Sequence, residues 1–388
     1  MTRTGILSPY KTANTSFYNT KFVAKNYTTT NIGNMMFKYA TSKHVLDYIP
    51  IHASMGIQKI RSLIDILVMP VANQINPYTD LLGLANFIEK LNLPIVVIGI
   101  GAQSNSINDI NLRLKTGTVK YLKVISKLSY KIGVRGEFTA NLFNDYGVQN
   151  VEIIGCPSNF INPRIDIGDV IENKLKYFRN NPLNIKRTGF YPQLAHNAII
   201  DKHKLSEIFL YELCQSSSGF FILNNPIELI SIARGRYNEV PKEVLHKLHT
   251  FLAPNKKFIT FYHDLCSMSI TFTTIKGWME FSSSLDLTIG KRIHGCINTT
   301  QSSNLGILIK HDSRTDELSE TIGLPRIDMK IFENSNSIIE ILQLTHFSGE
   351  EYNLNRKNLL TKYSDILHKS NVPITKFMKD LLLKYKIQ

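Results

Sequence analysis

The chain has 388 residues, of which 43% are hydrophobic and 10% are aromatic, and this describes a globular protein long enough for two domains. No apolar run approaches the roughly 20 residues that a spanning helix needs, and the N-terminus lacks the apolar centre of a signal peptide, so we expect a cytoplasmic protein. The net charge of +14 comes from 45 basic and 31 acidic residues spread along the chain. This pattern favours acidic substrates, with an anionic membrane surface as a second candidate partner, and argues against nucleic acid.

Strands and helices alternate regularly from residue 61 to residue 158. The turn at 31–34 precedes a predicted helix over 35–48, where Asn34 serves either as an ordinary N-cap or as a ligand contact. After it we predict strands over 64–71, 94–100, 130–134 and 151–158, and helices over 79–91, 112–128 and 137–146. Such alternation indicates βαβ units and a parallel sheet.

A segment rich in Asn, Pro, Asp and Gly, residues 157–184, is the predicted domain junction. Beyond it the alternation resumes, with predicted strands over 188–191, 219–223, 258–262, 285–289 and 306–310, and predicted helices over 201–215, 227–233, 242–252, 274–283 and 296–303. We therefore predict an α/β protein of two Rossmann-like domains, 1–165 and 185–345, facing each other across a cleft. Residues 346–388 are predicted C-terminal helices, and the basic amphipathic one at 375–384 either packs on a domain or lies on a membrane.

Basic residues follow two neighbouring predicted strands of the second domain. Lys291, Arg292 and His294 come after the strand at 285–289, and His311 and Arg314 come after the next one. In open parallel sheets, ligands bind beyond the carboxyl ends of the strands, where loops meet helix N-termini. These residues therefore predict a pocket for a compact, multiply charged anion. His311 and Arg314 either orient that anion or tie the last helix to the sheet.

Two further candidates lie at strand ends of the first domain. Arg135 follows the strand at 130–134, where it either binds an anion or forms a salt bridge with Glu137. Gly101 lies in the loop GIGAQS, where glycines bring backbone N–H groups near a bound phosphate or carboxylate, or simply form a turn. The loop is not GxGxxG, so a dinucleotide site is poorly supported.

The tracts GKRIHG and HDSRTDEL, together with GIGAQS, IGVRGEFTANLF and GCPSNF upstream, resemble the polysaccharide pyruvyl transferase family over residues 31–326. The resemblance implies a GT-B-like fold, with the acceptor on the side of the first domain and the donor on the side of the second. It also implies transfer of the pyruvyl group of phosphoenolpyruvate to two sugar hydroxyls, giving a cyclic ketal. The implied acceptor is a glycan or a lipid-linked oligosaccharide, reached in the cytoplasm or at the inner membrane face.

By this resemblance Arg292 and His294 are the catalytic candidates, and Arg135 is a second arginine that contacts the donor. The further substrate-binding candidates are Lys291, at the pocket rim, and Asn34, Gly101, His311 and Arg314. Two arginines can hold a carboxylate and a phosphate with paired hydrogen bonds. Imidazole titrates near neutral pH, so His294 either transfers a proton or only binds the donor phosphate. The reaction needs no metal and no redox cofactor.

Two other functions are kept as alternatives. One is a GT-B glycosyltransferase that uses a nucleotide sugar, since arginines can hold a diphosphate equally well. The other is a non-catalytic component of a polysaccharide assembly complex that has kept the pocket. The scattered cysteines, Cys156, Cys214, Cys266 and Cys296, have no CxxC spacing and no metal-ligand company, which fits a reducing compartment.

Overall fold

A computed structural model describes residues 2–12, 17–28, 31–104, 112–194 and 204–387. The first sheet has seven strands: β1 (Thr4–Leu7), β2 (Ile49–Ile51), β3 (Ile66–Pro70), β4 (Asn73–Ile75), β5 (Ile95–Ala102), β6 (Ile132–Val134) and β7 (Val151–Ile153). The second sheet has six: β8 (Thr188–Tyr191), β9 (Phe220–Ile222), β10 (Ser269–Ile270), β11 (Leu287–Gly290), β12 (Leu305–Lys310) and β13 (Arg326–Asp328).

Helices cover both sheets. Those within the first half of the chain are α1 (Thr20–Val23), α2 (Asn34–His44), α3 (Ile57–Leu63), α4 (Leu82–Leu91), α5 (Thr116–Leu128), α6 (Glu137–Asp145) and α7 (Ile167–Asn180). Those of the second half are α8 (Lys204–Ser216), α9 (Ile227–Ala233), α10 (Lys242–Leu252), α11 (Phe258–Met268), α12 (Ile275–Ser283), α13 (Ile293–Gln301), α14 (Ser313–Ile322), α15 (Met329–Glu333), α16 (Ile338–Leu344), α17 (Gly349–Lys369) and α18 (Lys376–Tyr385).

The apolar strands are buried on both faces, as a parallel sheet covered by helices requires. Along β5, Val96 and Ile98 join a core that continues into the second domain, whereas Ile95 and Val97 join a separate core beneath α4 and α5. Each of these four side chains is at most 2% exposed. The continuous apolar run in the sequence is therefore the signature of a central strand.

The two strand orders place the cleft. The first sheet has the order β2-β1-β3-β5-β6-β7, with β4 paired to the end of β5, and the second has the order β10-β9-β8-β11-β12-β13. Every strand pairing in the two sheets is parallel. In the second sheet the direction of chain progression reverses between β8 and β11, and the crevice at such a point is where ligands bind.

The structure confirms the predicted fold of two Rossmann-like α/β domains facing a cleft, with C-terminal helices. The strands of the first sheet lie within residues 4–153 and those of the second within 188–328, while the domain limits proposed above stay a prediction. Among the described residues, no helix is long and apolar enough to cross a bilayer.

The last helix packs on the first domain rather than presenting its apolar side to solvent. Met378, Leu381 and Tyr385 are buried, and the Phe377 ring stacks on His44 of α2 with centroids 6.1 Å apart. The interpretation of this helix as a domain-packing element is therefore confirmed.

Two local predictions are wrong. Residues 258–262 belong to α11 rather than to a strand. Asn34 is not an N-cap, because it is the first residue of α2, whose N-cap is Gly33 without a side-chain cap bond. The predicted junction, residues 157–184, contains α7 with 14 residues, and its assignment as the junction stays a prediction. The predicted helix over 201–215 is present as α8, and residues 201–203 lie outside the described residues.

Candidate functional site

A cavity of about 220 Å³ lies between the two domains at the carboxyl ends of the strands. The second domain contributes residues that follow β8, β9, β11 and β12, and the first domain contributes residues that follow β3, β5 and β6 and residues at the start of α2. The lining residues are Asn31, Gly33, Asn34, Ala72, Asn73, Gln103, Arg135, Gln193, Asn224, Lys291, Arg292, Ile293, His294, Arg314 and Thr315. Six of the eight site residues predicted from the sequence therefore line this cavity, and the other two, Gly101 and His311, do not.

Arg135 enters the cavity from the end of β6 and is only 2% exposed. Its Nε donates to the Gly99 carbonyl at 2.9 Å, and its Nη1 donates to Asn73 Oδ1. Nη2 is buried and has no hydrogen-bond partner among the described residues. Burial lowers the pKa of the guanidinium. The nearby Cys156 and Glu317 have the opposite, smaller effect and raise it. The alternative of a salt bridge to Glu137 is not observed, and Arg135 presents an orphaned cationic donor to the cavity.

Arg292 is the N-cap residue of α13 and lies opposite, at the end of β11. Its Nε donates to the Pro192 carbonyl at 3.0 Å, and its Nη2 donates to Asn225 Oδ1. Burial lowers the pKa of Arg292 to about 10, which leaves it charged at neutral pH.

Two nitrogens of Arg135 and two of Arg292, the two cleft arginines, are bonded to the protein, so both side chains are oriented before a ligand binds. Hydrogen bonds to a ligand must then come from the remaining nitrogens, and not from the paired arrangement that the sequence predicts for both arginines.

Lys291 does not lie at the pocket rim as predicted. Its side chain is 1% exposed, and Nζ lies 2.8 Å from Oε1 of Glu207, a residue of α8 that is 3% exposed. The same carboxylate accepts from the backbone N–H of Gln193 at 3.1 Å. The charge of Lys291 is therefore balanced by a buried carboxylate. This ion pair joins α8 to the end of β11, beside the point where the strand order reverses.

His294 lies in the first turn of α13, at 8% exposure. Burial, together with the positive charges of Arg135 and Arg314, lowers its pKa to about 3. Its Nε2 lies 3.7 Å from Sγ of Cys156, which in turn lies 2.9 Å from Oγ of Ser158. The imidazole is therefore neutral at physiological pH and able to accept a proton.

The residues after β12 form a compact ionic cluster. Asp312 caps α14 by accepting from the N–H of Thr315 at 3.0 Å, and it also accepts from Nε of Arg314 at 2.8 Å. Burial opposes its ionisation, but His311 and Arg314 outweigh burial and lower the pKa of Asp312 to about 2. Burial lowers the pKa of His311 to about 4. Arg314 lines the cavity with its charge paired, and His311 is placed to hold the loop.

Gly101 has a role that the sequence did not indicate. Its N–H donates to the Ala72 carbonyl at 3.1 Å instead of facing the cavity. A Cβ at this position would lie 2.7 Å from Cδ of Arg135 and 2.8 Å from Nδ2 of Asn73. Glycine is therefore required here because the Arg135 side chain crosses directly over it. Asn34 reaches the cavity from the start of α2, next to Gly33.

Several site residues were missed by the sequence argument. Asn73 and Asn225 orient the two arginines, and Asn224 lines the cavity with Nδ2 and Oδ1 both buried and without a partner among the described residues. Asn224 and Asn225 lie in a loop and Asn73 begins the short strand β4, so none of them has a periodic signal in the sequence. The only cue was their position directly after a strand, at Val71-Ala72-Asn73 and Leu223-Asn224-Asn225.

Hydrogen bonds between the domains close one side of the cleft. The Ser104 N–H donates to Ser313 Oγ at 2.8 Å, and that hydroxyl donates to the Ser104 carbonyl at 2.8 Å. Glu317 accepts from the N–H of Thr139 at 2.7 Å and from its hydroxyl at 3.0 Å. Burial raises the pKa of Glu317 to about 7. Glu317 therefore joins α14 to α6 of the first domain and does not line the cavity.

A larger cavity of about 690 Å³ lies between α6, α14 and α17. Its ionisable lining residues are Glu137, Asp145, Glu317 and Glu320, with Lys362 as the cation. This acidic lining repels an anion, so the smaller, basic cavity is the candidate site. Among the described residues, no group of three or more His, Cys, Asp or Glu side chains could hold a metal ion.

A model of the polysaccharide pyruvyl transferase family matches residues 16–298. The match includes Arg135, Lys291, Arg292 and His294, and it ends before the ionic cluster that follows β12. No curated protein matches the chain by sequence.

The fold is similar to those of several solved structures at low sequence identity. Anabaena HepE in complex with UDP and glucose is 10% identical with a TM-score of 0.46, over 96% of this chain and 100% of that chain. The UDP-GlcNAc 2-epimerase from Methanocaldococcus jannaschii is 10% identical with a TM-score of 0.46, over 95% and 99%. The wall teichoic acid polymerase TagF is 11% identical with a TM-score of 0.38, over 98% and 90%.

Proposed function

Because the chain belongs to the polysaccharide pyruvyl transferase family, we propose that it transfers the pyruvyl group of phosphoenolpyruvate to two hydroxyls of a sugar. The sugar is part of a surface polysaccharide or its lipid-linked precursor, the product is a cyclic pyruvate ketal, and the site of action is the cytoplasm or the inner membrane face. The observation that carries the donor assignment is the buried Nη2 of Arg135, which has no partner among the described residues, in the cavity that also holds Arg292.

The charges of the cavity fit this donor. Lys291 is paired with Glu207 and Arg314 with Asp312, whereas neither Arg135 nor Arg292 forms an ion pair within the described residues. Two buried cations without counter-ions favour an anion strongly in a site removed from water. Phosphoenolpyruvate carries a carboxylate and a phosphate on one carbon, with close to three negative charges at neutral pH. It is also small enough for a cavity of about 220 Å³.

The proposed reaction proceeds through a cation-like carbon. A proton taken from solvent water adds to the methylene carbon and makes the adjacent carbon electron-poor, and the first sugar hydroxyl adds there and loses its proton to His294. The C–O bond to phosphate then breaks, its electron pair leaves with the phosphate, and the second hydroxyl adds and closes the ring. Of the two hydroxyl protons, one replaces the proton given to the methylene carbon and the other leaves with the phosphate. Arg135 and Arg292 stabilise the charge on the departing phosphate.

His294 is the base that we propose for the sugar hydroxyls. Its pKa of about 3 keeps it neutral, so it begins the reaction able to accept a proton. Part of that depression comes from Arg135 and Arg314, and a bound trianion would counter their positive charge. Donor binding should therefore raise the pKa of His294 and make it a better base while the donor is present.

Thermal unfolding with phosphoenolpyruvate, and separately with a panel of nucleotide sugars, tests the donor. A shift with phosphoenolpyruvate that is lost in Arg292→Ala supports the proposal, and phosphate release with candidate glycans then identifies the acceptor. A shift with one nucleotide sugar and none with phosphoenolpyruvate would instead indicate a glycosyltransferase. Donor binding together with an unchanged cell-surface glycan in a strain carrying Arg292→Ala would indicate a protein that keeps the pocket without catalysis.

A further inference from the structure

An exposed aromatic surface lies on the segment that leads into the cleft. Phe17 is 82% exposed, Tyr18 43% and Phe22 40%, and the rings of Tyr18 and Phe22 stack with centroids 4.6 Å apart. Lys21 and Lys25 are exposed on the same stretch. We call these five residues the aromatic face. Three neighbouring exposed aromatic side chains differ from the isolated exposed apolar residues of an ordinary surface, and they mark an interaction site.

The backbone beneath the aromatic face is fixed to the second domain. Arg234, which follows α9, donates to the Tyr18 carbonyl at 2.9 Å and to the Thr20 hydroxyl at 3.1 Å. Glu239 accepts from the Thr20 N–H at 2.8 Å. Asn19 caps α1 by accepting from the Phe22 N–H at 2.8 Å. The rings are therefore held in solvent by a positioned backbone, and their exposure is a built feature.

The charged side chains of residues 17–28 are Lys21 and Lys25, and both are positive. The acidic side chain beneath them, Glu239, is bound by the Thr20 N–H at 2.8 Å and lies 3.7 Å from Arg236. A second copy of this chain would bring like charges together at the aromatic face, in a protein whose net charge is already +14. An anionic surface would instead be attracted. Aromatic rings beside lysines are the composition that lies at the headgroup level of a bilayer.

We propose that the aromatic face docks the protein on an anionic phospholipid surface. The rings of Phe17, Tyr18 and Phe22 enter the headgroup region, and Lys21 and Lys25 contact lipid phosphates. The docking needs no pyruvyl chemistry, and only its purpose rests on the proposed function. Asn31, Gly33 and Asn34 follow shortly after in the chain and line the cleft, so docking holds the cleft close to a lipid-linked sugar acceptor.

The structure favours this surface over the C-terminal helix considered from the sequence. Met378, Leu381 and Tyr385 of α18 are buried, and Lys43 lies over the Phe377 ring at 3.9 Å. Leu383 is a single exposed apolar side chain on this helix, at 72%. Membrane contact through the buried side chains of α18 would require this packing to open. The aromatic face needs no rearrangement.

Sedimentation with vesicles tests the proposal on the whole chain without donor or acceptor. Vesicles of phosphatidylglycerol and phosphatidylcholine are compared with phosphatidylcholine alone. The triple variant Phe17→Ser, Tyr18→Ser, Phe22→Ser should bind the anionic vesicles at least tenfold more weakly. Each of Lys21→Glu and Lys25→Glu should cost about fivefold or more. The matched control, Tyr78→Ser with Leu183→Ser, removes side chains that are 80% and 83% exposed elsewhere and should bind like the wild type.

A second measurement does not depend on the triple variant folding. Trp278 is the single tryptophan of the chain and is buried, so Phe17→Trp adds one exposed indole. Brominated phosphatidylglycerol should quench that indole and should leave Tyr78→Trp unquenched. Equal vesicle binding by the wild type and the triple variant, or equal quenching at both positions, would show only the general attraction of a basic protein to anionic lipid. A wild-type dimer that the triple variant abolishes would identify the face as a self-interface. Either result overturns the proposal, whereas loss of donor binding in solution would affect the proposed function alone.

Discussion

Replacing Arg135 with methionine tests whether the cleft holds the donor. Methionine keeps an unbranched side chain of moderate length but removes every guanidinium nitrogen, including the buried Nη2 that has no partner among the described residues. A hydrogen bond to a charged group contributes about 1.5–3 kcal/mol. The Kd for phosphoenolpyruvate should therefore rise roughly 10- to 150-fold.

Ligand-induced stabilisation and calorimetric titration both measure this change. At a concentration of 100 times its Kd, the donor should stabilise the wild type by about 2.7 kcal/mol. At the same concentration, a variant that binds 100-fold more weakly should gain only about 0.4 kcal/mol. The unliganded variant must be measured as well, because the Gly99 carbonyl and Asn73 Oδ1 lose their donor and stability falls for that reason alone.

Arg164→Met is the matched control. Arg164 is about half exposed and pairs with Asp166 at 2.7 Å on the surface, away from the cavity, so the Kd for the donor should not change. If Arg135→Met is folded and binds phosphoenolpyruvate with the wild-type Kd, the donor assignment is refuted. A loss of stability without a loss of affinity would make Arg135 a structural residue.

Three other changes have defined outcomes. His294→Ala should lower kcat in a phosphate-release assay more than it weakens donor binding, and the reverse pattern would make His294 a binding residue. Gly101→Ala should displace Arg135 and so weaken donor binding about tenfold, because a charge-assisted contact is lost. The control is Gly83→Ala, where an added Cβ meets nothing within 4 Å, and this variant should bind the donor like the wild type. Burial lowers the pKa of His44 to about 3 in the folded state. The contribution of this group to the free energy of unfolding is therefore fully present above about pH 6.5 and is lost as the pH decreases towards 3. At pH 5 the loss is about 2 kcal/mol. Denaturant unfolding at pH 7 and pH 5 measures this loss. Between the two pH values, His44→Gln should lose less free energy of unfolding than the wild type, by that amount. An equal loss in the two proteins would contradict the lowered pKa of His44.

The position of the two cleft arginines could be predicted from the sequence because their strands carry a strong signal. Arg135 and Arg292 each follow a short β-branched strand, and the carboxyl ends of parallel strands share one edge of a sheet. What holds the arginines could not be predicted. Asn225 lies in a loop, and Glu207 reads as an ordinary acidic residue in the first turn of α8, although it is buried against Lys291.

Two elements show where local patterns fail. Residues 258–262, with the sequence FITFY, have the aromatic and β-branched content of a strand, yet they begin α11. The helical pattern appears only over a longer window, in which Phe261, Leu265 and Met268 lie on one buried face. Conversely, β1 has only four residues and no clear alternation, although it lies between β2 and β3 in the first sheet.

The two cations of the cavity that form no ion pair within the described residues, Arg135 and Arg292, have a kinetic consequence under the proposed function. If they bind the phosphate group of the donor, inorganic phosphate released by the proposed reaction should occupy the same place and act as a competitive inhibitor. Turnover should then slow as phosphate accumulates, and assays in phosphate buffer should underestimate activity. Net synthesis would depend on how quickly phosphate leaves the cleft as well as on how well the donor binds.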